Sequence, residues 1–421
     1  MKKLLLLPFI FSTFLCFSQL TLEPGRIFFT EVSENGDKAV ASSSLGVSLW
    51  SEANGLETIF QNSPSGNPGI SNDGNIIAST IVDNDLAVAA VYDQNSNSWT
   101  PIGEDLGGSS GNSVTSAWGL SGNGQKLVGL GWIDPGTAHG FVWDQTNGIV
   151  DLGSSVPDRS TRANAVSYDG SIIVGWQDGI TGFRQGAVWS NGIQTLIFNL
   201  DGSEAREASC VSDDGEWVGG GSSSFPWRWN SITSEMQEIG PNPTPGVYVN
   251  NSTTGLNQDG SIAVGYFRPQ ATLYGEGFIW VEGENNNQVY NLNDYAESLG
   301  IDTQGVNLAL PLGISANGNF VVGTGIDDDF NEYGFILDIS NSLSVNDHPA
   351  EIFSVYPNPT SSTLKIQSNH EVEGLVIYSV TGKHVKRDSG QEIDVSNLAP
   401  GIYLVSIYSK GQVITKKFIK S

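Results

Sequence analysis

Seven times between residues 30 and 325 the chain repeats one pattern. An alternating apolar run leads into a turn of Ser-x-(Asp/Asn)-Gly type, then a short apolar run, then an aromatic cluster around Trp. The turn glycines are Gly36, Gly74, Gly124, Gly170, Gly215, Gly260 and Gly318, at steps of 38, 50, 46, 45, 45 and 58 residues. A period near 45 residues is that of one four-stranded blade, so the repeat predicts an all-β, seven-bladed β-propeller.

One copy shows how a blade is written. Before Asp169-Gly170 the apolar and polar residues alternate, and Ile172 to Val174 form a second run. Asp-Gly between two such runs is a hairpin signal, because the tight turn needs a positive φ that glycine adopts cheaply. After a variable loop, Gly186 to Trp189 and Ile193 to Phe198 flank the Asn191-Gly192 turn as strands three and four. Trp50, Trp143, Trp189, Trp229 and Trp280 share one slot in strand three, with Tyr92 and Leu337 in the second and seventh copies, and packing between blades is their expected role. Gly129, Gly175, Gly219, Gly265 and Gly323 are expected to end strand two where the backbone is crowded. The seventh copy lacks a fourth strand after Gly334 to Ser340, so Gln19 to Glu23 is expected to pair there and close the ring. In the sixth copy, Asn293 is expected to cap a short helix that Gly300 ends.

The two ends of the chain read differently. Lys2 and Lys3 precede an apolar stretch from Leu4 to Phe17, with the small Ser18 before Gln19, which is the pattern of a cleaved secretory signal over residues 1–18. That stretch is short for the ~20 residues a membrane span needs, and no later segment is long enough either, so no transmembrane anchor is expected. Loss of the signal removes Cys16 and leaves Cys210 alone, which excludes an intrachain disulfide. Cys210 reads as a small buried side chain.

From Gln19 to Ser340 there are 9 Lys plus Arg against 38 Asp plus Glu, a balance of −29, whereas Glu351 to Ser421 has 8 against 6. So acidic a propeller is a poor partner for nucleic acid or anionic lipid. A linker over 341–350 separates it from a tail over 351–421 whose strict alternation predicts a small Ig-like β-sandwich. A monomer is expected.

The pattern Ala-x-x-Val-Ser-x-Asp-Gly-Ser-x-Ile-Val-Gly, then Gly-Phe-x-Trp, then Asp151-Leu152-Gly153 resembles the HAF family of extracellular repeats, over roughly residues 26 to 340. The resemblance implies an exported propeller with no known catalytic activity. In the tail, Tyr356-Pro357-Asn358-Pro359, the Gly382-Lys383 turn, Pro400-Gly401-Ile402-Tyr403 and the basic close Lys416-Lys417-Phe418-Ile419-Lys420 resemble the C-terminal sorting domain of the type IX secretion system of Bacteroidota. That resemblance implies export across both membranes to the cell surface or medium, with Lys416, Lys417 and Lys420 recognised by the secretion machinery.

Binding is expected on the long, variable loops between strands two and three, since variable loops on a rigid frame carry function. They supply Trp132 and Asp134, then Trp176, Asp178 and Arg184, then Tyr266, Arg268 and Tyr274. Aromatic faces, guanidinium groups and carboxylates around one mouth suit an extracellular polysaccharide or protein. Asp327, Asp328, Asp329 and Glu332 offer hard oxygen ligands for calcium, although their spacing is not that of an EF-hand. His139 is the only histidine of the propeller, so a histidine zinc cluster is excluded and no catalytic residue is assigned. A glycosidase or lyase built on loop carboxylates such as Asp134, Asp178 and Asp328 is the alternative to a binding module.

Overall fold

In the computed structural model, the described residues are 19–340, except Glu104, Ser223 and Pro245, and 354–421, except 368–371, 373, 380–382 and 410–411. The expected signal, the linker and the sorting-motif glycine Gly382 lie outside them. The chain divides into two compact units, Met1–Leu343 and Ser344–Ser421.

The first unit contains seven four-stranded antiparallel sheets, the blades of a propeller. Each expected turn glycine has a positive φ, from 69° to 80°. The serine of the turn explains the rest of the motif. In blade 4, Ser167 Oγ donates to Asp169 Oδ1 and accepts the Ile172 N–H, while Asp169 Oδ1 also accepts the Ser171 N–H. The same contacts recur at Ser71, Ser121, Ser212 and Ser315.

The seven turns are also tied to one another, which the sequence does not announce. Glu34 N donates to Asn72 O, Asn72 N to Gly122 O, Asn123 N to Tyr168 O, and Tyr168 N to Asp213 O. Asp214 N then donates to Gln258 O, Gln258 N to Ala316 O, and the Asn317 side chain closes the circle on Glu34 O.

The tryptophan slot falls on the third strand of each blade, as expected. Trp280 is fully buried, and Trp189 and Trp229 nearly so. Their clusters cross from blade to blade: Trp229 packs with Val174 and Val188 of blade 4, and Ala163 and Trp189 with Val128 of blade 3. The ring closes through the N-terminal strand Leu20–Pro24, which pairs antiparallel with Glu332–Asp338 and brings Leu20 opposite Leu337.

The strand-two glycines sit within their strands, not at the ends. Each lies opposite an irregularity in strand one, where the register skips a residue between Ala163 and Ala165, and likewise between Pro311 and Gly313. A Cβ on Gly175 would stand 1.9 Å from Arg162 O, and one on Gly323 2.2 Å from Leu310 O. The glycine therefore makes room for a β-bulge in the innermost strand. The sixth-blade helix is Leu292–Ser298, capped by Asn291, whose side chain accepts the Asn293 and Asp294 N–H groups. Asn293 instead bridges to the seventh blade, donating to Val306 O and accepting the Leu308 N–H.

The second unit is a sandwich of a three-stranded and a four-stranded sheet. Its core includes Leu364, Ile377, Val405, Ile407 and Phe418. Asn358 accepts the Ile419 N–H and donates to Lys417 O, so the Pro357-Asn358-Pro359 turn is stitched to the last strand. Gly401 opens a strand opposite Lys420, and Tyr403 stacks on Phe418 with ring centroids 5.7 Å apart. Lys416 and Lys417 are exposed, whereas Lys420 is 7% exposed and bonds the chain's last carbonyl, so only the first two present an open basic pair.

Candidate functional site

The innermost strands of all seven blades face one axial cavity of about 420 Å³. The bulges decide what enters it. Thr30, Trp118, Asn164, Ser209, Thr254 and Leu312 are the residues skipped where strand one passes the strand-two pairing nearest the axis, and all six line the cavity. Several also fasten the ring: Thr30 Oγ1 donates to Pro68 O, Asn164 Nδ2 to Ala208 O and Thr254 Oγ1 to Pro311 O, each in the next blade. Below them runs an aliphatic belt with one residue per blade, Val32, Ile70, Leu120, Val166, Val211, Leu256 and Ile314.

At the mouth where strands two and three join, the scarce cations of the propeller gather. Arg162 lies 3.6 Å from the Trp118 ring and 5.4 Å from that of Trp176, and Arg184 lies 4.2 Å from Trp176. Both guanidinium groups reach Glu207, at 3.7 and 3.4 Å. Arg268 lies over Tyr266 at 4.8 Å, and Arg206 reaches Asn250 at 3.5 Å. Burial pulls Arg162 down to about 10, with Glu207 opposing the shift, so it stays charged at neutral pH. The Arg268 Nε and the Trp176 Nε1 are buried without a hydrogen-bond partner among the described residues.

Four of the expected loop residues thus converge: Trp176, Arg184, Tyr266 and Arg268. The rest do not join them. Trp132 is half-buried in its strand, and Asp134 is exposed, its carboxylate spent on the Gly136 and Thr137 N–H groups of its own turn. Asp178 is half-buried opposite Arg184 in the hairpin register, and Tyr274 donates to Glu332 Oε1 at 2.7 Å. Asp327 accepts from the Asp329 and Asn331 N–H groups, the Asn331 side chain and the Tyr333 hydroxyl. With Glu332 held by Tyr274, the acidic loop does not draw its carboxylates together. Among the described residues no group of three or more His, Cys, Asp or Glu is placed to hold a metal ion. His139 pairs with Asp151, its Nδ1 3.0 Å from both carboxylate oxygens. Sequence reasoning missed Trp118, Arg162, Arg206 and Glu207, which lie on or just before innermost strands.

The opposite end of the cavity is constricted. Asn72 of blade 2 donates to Asp213 Oδ2 of blade 5 at 2.6 Å, across the axis, and a recess lined by Glu34, Asp169 and Asp214 lies beyond. Burial raises the Asp213 carboxyl against the Asn72 hydrogen bond. Glu31 accepts the Ile70 N–H at 2.8 Å, and burial pushes its carboxyl up to about 8. The folded chain therefore holds a proton that the unfolded chain releases near 4.5, so stability falls as pH rises through the window from about 4.5 to 8. Between pH 5.5 and 8.5 the native chain is expected to lose about 1–3 kcal/mol on this account, less than the full shift because the carboxyl faces the open cavity. Thermal melts at both pH values check this, and the Glu31→Gln variant is expected to show a flattened difference.

Comparison with known proteins follows the same division. Residues 354–421 match the secretion system C-terminal sorting domain. This domain marks the chain for type IX secretion to the cell surface or the medium and implies interaction with the type IX machinery. No helix among the described residues is long and apolar enough to cross a membrane. None of the curated proteins compared matches the chain. Among solved structures, the chain is similar to an oligogalacturonate lyase from Vibrio parahaemolyticus at 14% identity, over 76% of this chain and 92% of that one, with a TM-score of 0.51. It is also similar to the β-propeller domain of the Trilobed protease from Pyrococcus furiosus at 14% identity, over 75% and 96%, with a TM-score of 0.49. With TolB from Acinetobacter baumannii it shares 13% identity over 74% of this chain, spanning only 63% of that one, with a TM-score of 0.39. At such identities the lyase supports the propeller fold alone.

Proposed function

We propose that this is an exported binding protein, a HAF-like propeller delivered by a cleaved signal and the sorting domain, that takes acidic extracellular polysaccharide at the arginine-lined mouth of its cavity. One observation carries the reading. Of nine cationic residues in a propeller with 38 acidic ones, four (Arg162, Arg184, Arg206 and Arg268) stand at one mouth, interleaved with Trp118, Trp176 and Tyr266. Guanidinium groups recognise carboxylates through paired, charge-assisted hydrogen bonds, and the aromatic rings beneath them hold those groups in place through cation–π contact. An acidic surface elsewhere repels an acidic polymer, so attraction is confined to this patch.

The test is equilibrium binding of the purified full chain to uronic-acid polymers, to neutral glucans and to acidic peptides. Saturable binding of an acidic polymer, weakened by salt, is expected. Arg162→Ala and Arg268→Ala are each expected to cut affinity about tenfold or more, the worth of one hydrogen bond to a charged group. Equal affinity for neutral glucan, preference for the acidic peptide, or indifference to both substitutions would sink the proposal. Release of unsaturated or shortened products from the polymer would make the protein an enzyme instead.

A further inference from the structure

The shape of the cavity restricts how a chain molecule can use it. Its wall is continuous, because all seven innermost strands contribute, from Thr30 of blade 1 through Asn67, Trp118, Asn164, Ser209 and Thr254 to Leu312 of blade 7. Its far end is crossed by the Asn72 to Asp213 hydrogen bond. The hoop of turn-to-turn hydrogen bonds runs around that same end and holds the seven turns at fixed spacing. A ligand entering past the arginines therefore meets a constriction at the far end, formed by side chains that also border the recess beyond. A polymer lying across the mouth would touch only the rim and leave the cavity unfilled.

We infer that the ligand is the terminus of an acidic saccharide chain, inserted end-on into the axial cavity, so that the protein recognises chain ends and not internal stretches. The inference rests on the acidic-polysaccharide reading given above. At about 420 Å³ the cavity is at the small end of ligand pockets, and the piece it holds is about one or two sugar rings. The two layers of the wall suit such a piece. The arginines stand at the mouth, where the acidic groups of the following sugars remain, and the aliphatic belt from Val32 to Ile314 lies deeper, against the C–H face of the terminal ring. Arg268, whose Nε is buried without a hydrogen-bond partner among the described residues, lines the cavity. Glu31, near its midpoint at about pH 8, is chiefly the neutral acid at neutral pH and does not repel an entering anion.

The experiment compares one uronic-acid polymer with its own partial digest, using the full chain and equal masses of sugar. End-on capture predicts that binding per gram rises with the number of ends, about tenfold when the polymer is cut to a tenth of its length. Binding per gram that is unchanged or lower after digestion overturns end-on capture and leaves the polysaccharide reading standing. Binding of neither sample overturns both. Ser209→Phe, which places a ring inside the cavity, is expected to abolish binding of the digest while circular dichroism stays native. A natively folded Ser209→Phe protein that still binds the digest with full affinity would place the ligand outside the cavity and refute the inference.

Discussion

A chain that begins at Gly25, and so lacks the strand Leu20–Pro24, is expected to melt about 10 °C below one that begins at Gln19. Two losses add. Leu20 is 3% exposed in a cluster with Leu337, Phe335 and Ile339, and withdrawing a leucine from such a core costs about 1.5–3 kcal/mol. Pairing along five positions from Leu20↔Leu337 to Pro24↔Tyr333 also disappears. The strand Glu332–Asp338 then becomes an open edge, ready to pair with another chain. Calorimetry and sedimentation check both consequences. Equal melting temperatures would mean that the ring holds without its fastener.

The second large effect concerns destination. Removing residues 350–421 is expected to abolish appearance of the protein at the cell surface and in the medium while it accumulates in the periplasm. The matched sorting domain occupies residues 354–421 and is the part read by the secretion machinery. Immunoblots of periplasmic, surface and medium fractions decide the matter, and undiminished surface display of the shortened chain would refute the role. A finer comparison separates recognition from folding. Lys416→Ala with Lys417→Ala removes exposed charge only, whereas Lys420→Ala also disturbs a buried position next to the Asn358 turn.

The architecture was legible because its signals are local. Ser167, Asp169 and Gly170 solve the geometry of one turn among themselves, and the same solution is spelled out in four of the other blades. The third-strand tryptophans are legible for a similar reason, since every blade must fill the same gap. The closing strand was visible as a strand missing from one end and a spare one at the other. The site was half legible. Trp176, Arg184, Tyr266 and Arg268 stand on the hairpins or strand ends where variable loops attract attention. Trp118 escaped because a bulge in an innermost strand leaves no mark in period-two alternation, and Arg162, Arg206 and Glu207 escaped because they lie on or just before innermost strands and not on the long loops between strands two and three. Their signal was scarcity: in so acidic a propeller, an arginine at Arg162 and another at Arg206, each beside an innermost strand, is a departure from composition. Asn293 was misread for a different reason. Asn291 and Asn293 are equally good caps by residue type, and only the chain's direction at the helix entrance chooses between them.

The hoop of turn-to-turn hydrogen bonds has a consequence for descent. Every blade donates onward in the same rotational sense, from Glu34 N to Asn72 O through to Gln258 N to Ala316 O, and the last link alone uses a side chain, that of Asn317. The seam between the last blade and the first is thus the one joint made differently from the others. The number of blades, and with it the bore of the cavity, is a quantity that tandem duplication changes in whole steps, while each turn keeps its grip on the next.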